Sequence, residues 1–293
     1  MANEKFGTIV TENMGGYSWY KNSRLYRISS WENSASYDIP SEVIYIKDVV
    51  NKQVWSLGLN PMPDDNNYNI IYGFGYAKYI HKCDGIEQEL EVFVPKNDSL
   101  KVGILKLKNT TPNKKKLKLI YYAKIVIGED IIKSDNYINL DFDKNANTIY
   151  LNNLYNSEID TATAYVSCSE NIQSYTGDKT FFFGNGGLSN PDGIKKLSLN
   201  NENSLGKSSC IAYEVEVEIE SFSEKEISLI LGVEENKIDI KNMSYKYSKI
   251  QNCKQELYCI KNYWKDFLRK ITSVYTSRIY KYNFKWLDCI SNY

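Results

Sequence analysis

Acid–base chemistry in this chain has one histidine to draw on, His81, which lies two residues after Tyr79. An unperturbed imidazole titrates near neutrality, so His81 could act as a general base. Because there is one His in 293 residues, a multi-histidine metal site and a mechanism with two catalytic histidines are excluded. We therefore interpret His81 as a structural, hydrogen-bonded residue.

The other candidate chemical motifs are incomplete. None of the six cysteines forms a Cys-x-x-Cys pair, so a zinc or redox motif is disfavoured. The segment Asp141–Asn145 begins like a calcium loop, but Ala146 stands where that loop needs Gly and Asn152 where it needs Glu. We predict a plain β-turn there and no metal site.

The segment Phe183–Gly187 is rich in glycine. A phosphate-binding loop is followed by a helix, whereas Pro191 and Gly193 follow here, so a nucleotide site is disfavoured. Because glycine lets backbone approach a ligand closely, we expect a mobile loop near a ligand.

The aromatic residues are the positive signal in the composition, and carbohydrate contact is the function that they would suit. Two carboxylates can hydrolyse a glycosidic bond, but no pair can be nominated from sequence spacing. Aromatic residues crowd the first 80 positions: Tyr17, Trp19, Tyr20, Tyr26, Trp31, Tyr72, Phe74, Tyr76 and Tyr79. They are interleaved with polar residues: Lys21, Asn22, Arg24, Arg27 and Asn33. Such rings could stack on sugars or fill a core with their polar tips satisfied, and core packing is the favoured reading.

Composition excludes one class of partner. Lys+Arg and Asp+Glu are both 36, so there is no net charge to attract a polyanion, and we predict no nucleic-acid partner. The N-terminus lacks the pattern of a signal peptide, and no apolar run approaches the roughly 20 residues of a membrane span. We expect a cytoplasmic protein with reduced thiols and no membrane partner.

Strands are the elements that must position these side chains. Residues 41–47 have a β-rich centre, and residues 87–94 alternate polar and apolar with period 2. We predict a first hairpin from residues 103–108 and 116–122, and a second from 212–219 and 226–231. No alternation of strands and helices occurs, which indicates a large antiparallel β-sandwich.

Helical periodicity replaces this pattern after about residue 236. One apolar stripe comprises Ile250, Cys253, Leu257, Ile260, Trp264, Phe267, Leu268 and Ile271. A weaker stripe comprises Ile279, Tyr282, Trp286 and Ile290. We predict that the first stripe packs on the sandwich or on a second copy of the chain.

The motif Gly15-Gly-Tyr-Ser-Trp-Tyr-Lys-Asn-Ser-Arg24, with Arg27 and Trp31 after it, resembles the opening motif of glycoside hydrolase family 94. The resemblance continues in order through residues 41–48, 54–56, 72–81, 85–95, 175–180 and 229–232. This family includes cellobiose, chitobiose and oligo-β-1,2-glucan phosphorylases and the phosphorylase-like end of cyclic β-1,2-glucan synthases.

The resemblance implies a galactose-mutarotase-like β-supersandwich over residues 1–235, linker helices over 236–275, and the truncated start of an (α/α)₆ barrel over 276–293. The family's catalytic Asp and most of its phosphate contacts lie in that barrel, and no position here matches them. The implied domain is therefore non-catalytic. No metal or organic cofactor is implied, and inorganic phosphate is the co-substrate of the full-length enzymes.

The resemblance also implies a sugar-contacting loop that reaches the acceptor side of the partner subunit's site. Its residues here are Thr176, Asp178, Lys179 and Thr180. Family members commonly carry Arg where Lys179 stands, and Lys keeps the charge but loses the planar fork. The alternative for Asp178 and Lys179 is an exposed ion pair with each other.

The implied partners are a β-glucan oligosaccharide and either a second copy of the chain or a separate catalytic-barrel chain. Two other functions stay open at this point. One is a stand-alone carbohydrate-binding module. The other is a mutarotase-like enzyme, which would need a His and a Glu and has only His81 available.

Overall fold

A computed structural model describes residues 1–32, 34, 36, 38–129, 131–155 and 162–274. Strands dominate these residues. They are β1 (Phe6–Thr8), β2 (Ser18–Tyr20), β3 (Arg27–Ser29), β4 (Glu42–Asp48), β5 (Val54–Ser56), β6 (Tyr68–Gly73), β7 (Tyr76–Cys83), β8 (Ile86–Phe93), β9 (Leu100–Asn109), β10 (Lys115–Ala123), β11 (Ile125–Gly128), β12 (Ile138–Asp143), β13 (Thr148–Asn153), β14 (Thr163–Cys168), β15 (Ile172–Asp178), β16 (Ser209–Ile219) and β17 (Glu224–Glu234).

Three short helical elements interrupt the strands and two longer helices follow them. The helices are α1 (Ile131–Ser134), α2 (Lys179–Phe183), α3 (Asp192–Lys195), α4 (Lys237–Ser248) and α5 (Ile250–Val274), with a 3₁₀ turn at Asp135–Tyr137. Strands thus give way to helices between Glu234 and Lys237. The linker role of α4 and α5 remains a prediction, and residues 276–293 with the second stripe lie outside the described residues.

The strands form three antiparallel sheets. The small sheet has the order β1-β2-β3-β11, the middle sheet β15-β16-β10-β4-β5, and the large sheet β12-β13-β14-β17-β9-β8-β7-β6. One continuous core fills the space between them, with Ile46, Leu105, Leu119 and Leu231 among its fully buried side chains. The predicted fold class, a large antiparallel β-sandwich followed by helices, is confirmed.

Both predicted hairpins are wrong, because their strands cross between sheets. Strand β9 pairs with β8 and β17 in the large sheet, whereas β10 pairs with β4 and β16 in the middle sheet. Strands β16 and β17 separate in the same way. The connections are therefore two arches that stack side by side. Alternation with a turn between two strands is the same signal for a hairpin and for an arch, so the local pattern could not separate them.

The side chain of Asn109 joins the two arches. It is fully buried, and its Nδ2 donates to the carbonyl oxygens of Asn113 at 2.7 Å, Ile219 at 3.3 Å and Glu220 at 3.1 Å. Its Oδ1 accepts from the backbone N–H of Thr111 at 2.9 Å. One amide thus satisfies backbone groups that neither sheet pairs.

Helices cover the outer faces of the sheets. On the large sheet, α4 and α5 bury Ile240, Tyr247, Cys253, Leu257 and Ile260 against strand residues that include Val102, Ile104 and Ile230. The predicted stripe therefore does pack on the sandwich over its first half. Further along the same helix the aromatic side chain of Phe267 is 43% exposed.

Candidate functional site

The predicted sugar-contacting loop begins at the end of β15, an edge strand of the middle sheet. Thr176 is fully buried, and its Oγ1 accepts from the backbone N–H of Asp178 at 3.2 Å. Between them, a Cβ at Gly177 would lie 2.5 Å from the backbone nitrogen of Ser204. This close approach requires glycine, and it fixes the direction in which the loop leaves the sheet.

Asp178 is the N-cap of α2. Its Oδ1 accepts from the Phe181 N–H at 3.0 Å, and its Oδ2 lies 3.2 Å from Nζ of Lys207. Partial burial works against ionisation of Asp178, but these hydrogen bonds and the Lys207 charge outweigh it and lower the pKa of the carboxyl group. The ionised side chain is thereby held in place as a cap.

The alternative ion pair between Asp178 and Lys179 is not seen in the described residues, where Asp178 pairs with Lys207. Lys179 is half-buried and Thr180 is exposed, directly after the cap. The backbone N–H of Lys179 donates to the Ser208 carbonyl at 2.9 Å. Thr176 and Asp178 thus have structural contacts, whereas Lys179 and Thr180 present side chains at the surface.

The segment after the cap is anchored on the outer face of the middle sheet. Phe182 is fully buried and stacks on Tyr122 at 5.3 Å between ring centroids, with 6° between the ring planes. Tyr45 donates from its hydroxyl to the Leu188 carbonyl at 2.7 Å. Lys47 donates to the Ile194 carbonyl, also at 2.7 Å. A broad aromatic base therefore holds the loop that carries Lys179.

The glycine-rich turn belongs to this anchored segment. Gly184 has φ of 53°, and a Cβ there would lie 2.1 Å from Oδ2 of Asp192. The same carboxylate oxygen accepts from the Asn185 N–H at 3.0 Å. These contacts argue against the mobility that the glycine content of Phe183–Gly187 predicted.

A polar network surrounds His81 in the core of the large sheet, where the side chain is 2% exposed. The indole N–H of Trp55 donates to Oε1 of Gln88 at 3.0 Å, which turns the amide nitrogen of Gln88 toward Nδ1 of His81. Nδ1 is therefore an acceptor and Nε2 carries the hydrogen, which it donates to Oδ1 of Asp64 at 3.0 Å. Tyr68 stacks on the imidazole at 4.0 Å and 5°.

Every polar atom of the His81 ring therefore has a protein partner. The structural interpretation of His81 agrees with this geometry. Gln88 could have been found from sequence, since it lies directly opposite His81 across the β7–β8 pair. Asp64 could not, because it comes from a loop outside that pair.

Asp64 should make stability depend on pH in the acid range. Partial burial raises its pKa, but hydrogen bonds from Asn66 and His81 dominate and lower it from 3.8 to about 2. A depressed folded-state pKa contributes stability above the unfolded value and loses it as pH falls toward the folded value. We expect Asp64→Asn to lower the urea midpoint at pH 5 and to differ less from wild type at about pH 2.

Asp65→Asn, at the exposed neighbouring position, is the matched control for this comparison. It should leave the urea midpoint unchanged at both pH values. An equal loss for Asp64→Asn at both pH values would contradict the assignment, since titration of Asp64 would then contribute nothing.

The glycines of the opening motif are needed for close packing. A Cβ at Gly15 would lie 2.0 Å from Oδ1 of Asp38, and Gly16 has φ of 98° with Ile9 O only 2.2 Å from its Cβ position. They border an internal cavity of about 60 Å³, where Glu42 and Lys101 form an ion pair at 2.5 Å. This volume accommodates a few water molecules and not a sugar ring.

Of the nine aromatic residues singled out in the first 80 positions, four are buried core residues, as the favoured reading predicted, and Trp19, Trp31 and Tyr76 are half-buried. Tyr17, Tyr20, Tyr26 and Tyr79 are buried. Tyr72 and Phe74, by contrast, are 50% and 40% exposed at the end of β6 and in the turn after it. Tyr72 and Phe74 therefore have the most exposed rings of this set.

The acidic segment at Asp141–Asn145 forms the turn between β12 and β13. Asp143 accepts from the backbone N–H groups of Asn145 and Ala146 and pairs with Lys241 at 2.9 Å, while Asp141 pairs with Lys237 at 3.1 Å. Among the described residues, no group of three or more His, Cys, Asp or Glu side chains is arranged to hold a metal ion.

The chain matches a family described as glycosyl hydrolase 94, supersandwich domain, over residues 1–250. It is 25% identical over 243 residues to the cyclic β-(1,2)-glucan synthase NdvB of Rhizobium meliloti (strain 1021), covering 80% of this chain and 8% of that protein. It is 23% identical over 274 residues to the N,N'-diacetylchitobiose phosphorylase of Vibrio proteolyticus, covering 90% of this chain and 34% of that protein. The chain thus spans about a third or less of these relatives.

A bacterial glucoamylase solved in complex with acarbose superposes with a TM-score of 0.52 at 10% identity, over 89% of this chain and 37% of that chain. This likeness concerns the fold alone. In the described part of the chain, none of the helices has the length and apolar character to span a bilayer. Because the family match extends over residues 1–250, the chain belongs to the glycosyl hydrolase 94 family and contains its supersandwich domain.

Proposed function

We propose that this chain is the non-catalytic supersandwich domain of a phosphorylase-like protein that acts on β-glucans. In this proposal it supports dimerisation and supplies a sugar-contacting loop to the partner subunit's site. The observation that carries it is the family match over residues 1–250 in a chain that spans 34% of a phosphorylase relative. The part of such a relative that this chain does not cover is long enough to contain a catalytic domain.

The proposed reaction is phosphorolysis. An oxygen of inorganic phosphate forms a bond to the anomeric carbon with inversion, and the glycosidic C–O bond breaks with its electron pair passing to the leaving oxygen. An acid residue outside this domain donates the proton to that oxygen. The products are glucose 1-phosphate and the shortened sugar, and no metal or organic cofactor takes part.

The loop geometry supports the proposed role of Lys179 and Thr180. Asp178 caps α2 and is held by Lys207, while Phe182 anchors the following turn on the middle sheet. Lys179 and Thr180 therefore extend from a fixed base, so little conformational entropy is lost when they bond sugar hydroxyls. Since Lys lacks the bidentate fork of Arg, we assign Lys179 single hydrogen bonds to the acceptor sugar.

The mutarotase-like alternative is disfavoured by the environment of His81. Its imidazole is buried, and both ring nitrogens are engaged by Asp64 and Gln88. A catalytic base must reach the proton that it removes from the substrate. His81→Ala should therefore leave any mutarotation measured with this chain unchanged, apart from losses that follow from unfolding.

Sedimentation velocity and calorimetry test the proposal with the 293-residue chain. We expect a dimer, and weak, millimolar binding of β-1,2-linked gluco-oligosaccharides that Lys179→Ala weakens at least threefold. Lys195→Ala, an exposed lysine on the same anchored segment, is the matched control and should bind like wild type. Incubation with these sugars and inorganic phosphate should release no glucose 1-phosphate.

Three results would contradict the proposal. If the chain is a monomer at all concentrations, the proposed dimer is wrong. If Lys179→Ala and wild type bind the sugar with equal affinity, the proposed loop contact is wrong. Phosphate-dependent release of glucose 1-phosphate by this chain alone removes the non-catalytic assignment.

A further inference from the structure

A cleft lies on the side of the sandwich away from the middle sheet, where the first residues of the chain approach α5. Its walls are the segment Met1–Lys5, the β6–β7 turn at Gly73–Gly75, residues 94–97 and one face of α5 at Ile260–Trp264. Its volume is about 840 Å³, within the range of about 300–1,000 Å³ that small-molecule sites occupy.

Three aromatic rings, those of Phe74, Tyr263 and Trp264, form one wall of this cleft, and the Phe267 ring packs beside them. Trp264 lies 6.0 Å from Phe74 with 31° between the ring planes, and it meets Phe267 edge-on at 5.8 Å. Tyr263 stacks beside Phe267 at 6.1 Å and 15°. Phe74, Tyr263 and Phe267 are 40%, 44% and 43% exposed. A continuous exposed aromatic surface of this kind marks a binding site more often than a free surface.

The aromatic wall is held rigidly by the backbone of the β6–β7 turn. Gly75 has φ of +82°, and a Cβ there would lie 2.6 Å from both Ile260 Cγ2 and Trp264 Nε1. The turn therefore touches the helix directly. Directly after Ile260, Lys261 pairs with Glu91 at 2.8 Å and fixes α5 to the large sheet.

The opposite wall is fixed by Asn3. Its Nδ2 donates to the carbonyl oxygens of Pro95 and Asp98, both at 2.8 Å. The polar groups left at the rim are those of Glu4, Lys5 and Lys96, with the amide of Asn97. Lys96 lies 4.8 Å from the Tyr263 ring centroid, so its charge is adjacent to the aromatic wall.

This combination fits a neutral, hydroxyl-rich ligand with flat apolar faces. The rings offer faces for the C–H surfaces of β-linked pyranoses, while the rim offers hydrogen-bond donors and an acceptor carboxylate to the hydroxyl groups. The mixed charge of the rim disfavours a polyanion, because Glu4 opposes it. A purely apolar ligand would gain nothing from the rim groups, which are exposed and hydrogen-bond to water without it.

We propose that the cleft between Met1–Lys5, Phe74 and the α5 residues Tyr263 and Trp264 is a second carbohydrate site that binds a β-glucan oligosaccharide. The sugar class rests on the proposed function, whereas the location rests on the cleft itself. The site is separate from the Lys179 loop, which lies on the outer face of the middle sheet. A domain with two such sites would hold a glucan chain in the cleft while the Lys179 loop contacts the acceptor end.

Titration of the 293-residue chain with β-1,2- and β-1,4-gluco-oligosaccharides, followed by tryptophan fluorescence, tests the proposal. We expect a saturable fluorescence change for the wild-type chain. For Trp264→Phe, which is measured by calorimetry because the tryptophan is removed, the dissociation constant for the sugar should rise at least fivefold. Phe74→Ala, which changes a turn residue and leaves α5 intact, should weaken binding by a similar factor. Tyr258→Ala, at a 61% exposed position of α5, is the matched control and should bind like wild type.

The outcomes separate the two proposed sites. If Lys179→Ala abolishes all binding and Phe74→Ala changes none, the cleft is not a sugar site and the loop proposal stands. If Phe74→Ala weakens binding and Lys179→Ala does not, the cleft stands and the loop proposal fails. Self-association that Phe74→Ala abolishes, without sugar binding, would overturn the cleft proposal and assign the aromatic wall to a protein interface.

Discussion

Replacing Asn109 by alanine should lower the free energy of unfolding by about 3 kcal/mol. The side-chain amide donates to three carbonyl oxygens and accepts from Thr111, and it is one of the direct links between the two arches. Each buried polar group left without a partner costs about 1–3 kcal/mol. Some of these carbonyl oxygens can bond to water in the variant. The total loss in the free energy of unfolding therefore stays near the value expected for two fully buried groups.

Chemical denaturation monitored by circular dichroism measures this loss. Asn113→Ala is the matched control, since it removes the same amide from an exposed position of the same connection. It should change stability by less than about 0.5 kcal/mol. If the two variants lose equal stability, the Asn109 amide does not join the arches in the way its contacts indicate.

Replacing Leu257 by alanine should cost about 2–5 kcal/mol, the range for truncating a buried leucine. Leu257 is 5% exposed and packs in the cluster that joins α5 to β9 and β17, which includes Ile104 and Ile230. The loss comes from the missing apolar contacts and from the cavity that remains between helix and sheet. Urea denaturation of the two proteins gives the difference directly.

Tyr258→Ala controls for helix propensity at the neighbouring position. The Tyr258 side chain is 61% exposed, so this variant should stay within about 0.5 kcal/mol of wild type. A loss below about 0.5 kcal/mol for Leu257→Ala would mean that α5 does not pack on the large sheet in solution.

Local pattern located six of the seventeen strands in the described residues, and it did not give their partners. Asp84–Gly85, with φ of 49° and 74°, joins β7 to β8 in a two-residue hairpin, and Asp-Gly is a recognisable signal for such a turn. The longer connection after Asn109 carries turn residues too, yet it crosses between sheets. What decides the difference is the pairing of β9 with β17, more than a hundred positions away in the chain.

In the candidate sites, too, contacts that are local in sequence could be predicted, whereas tertiary contacts could not. An aspartate three residues before Phe181 is a recognisable helix cap, so the structural role of Asp178 could be anticipated from sequence. Its partner Lys207 could not, because the two meet through tertiary structure. The helical stripe predicted that Trp264 and Phe267 would be buried with Leu257. The β6–β7 turn and the N-terminal segment instead leave a cleft there, which no periodicity describes.

The position of β17 in the large sheet has a consequence for how the chain is synthesised. Among the described residues it is the last strand along the chain, yet it lies between β14 and β9 and completes both halves of the sheet. Until Glu234 has left the ribosome, two partial sheets have open edges facing each other, and such edges promote intermolecular pairing. The large sheet therefore cannot be completed by adding each strand in the order of its synthesis. Until β17 is available, the edges of β14 and β9 lack their common neighbour.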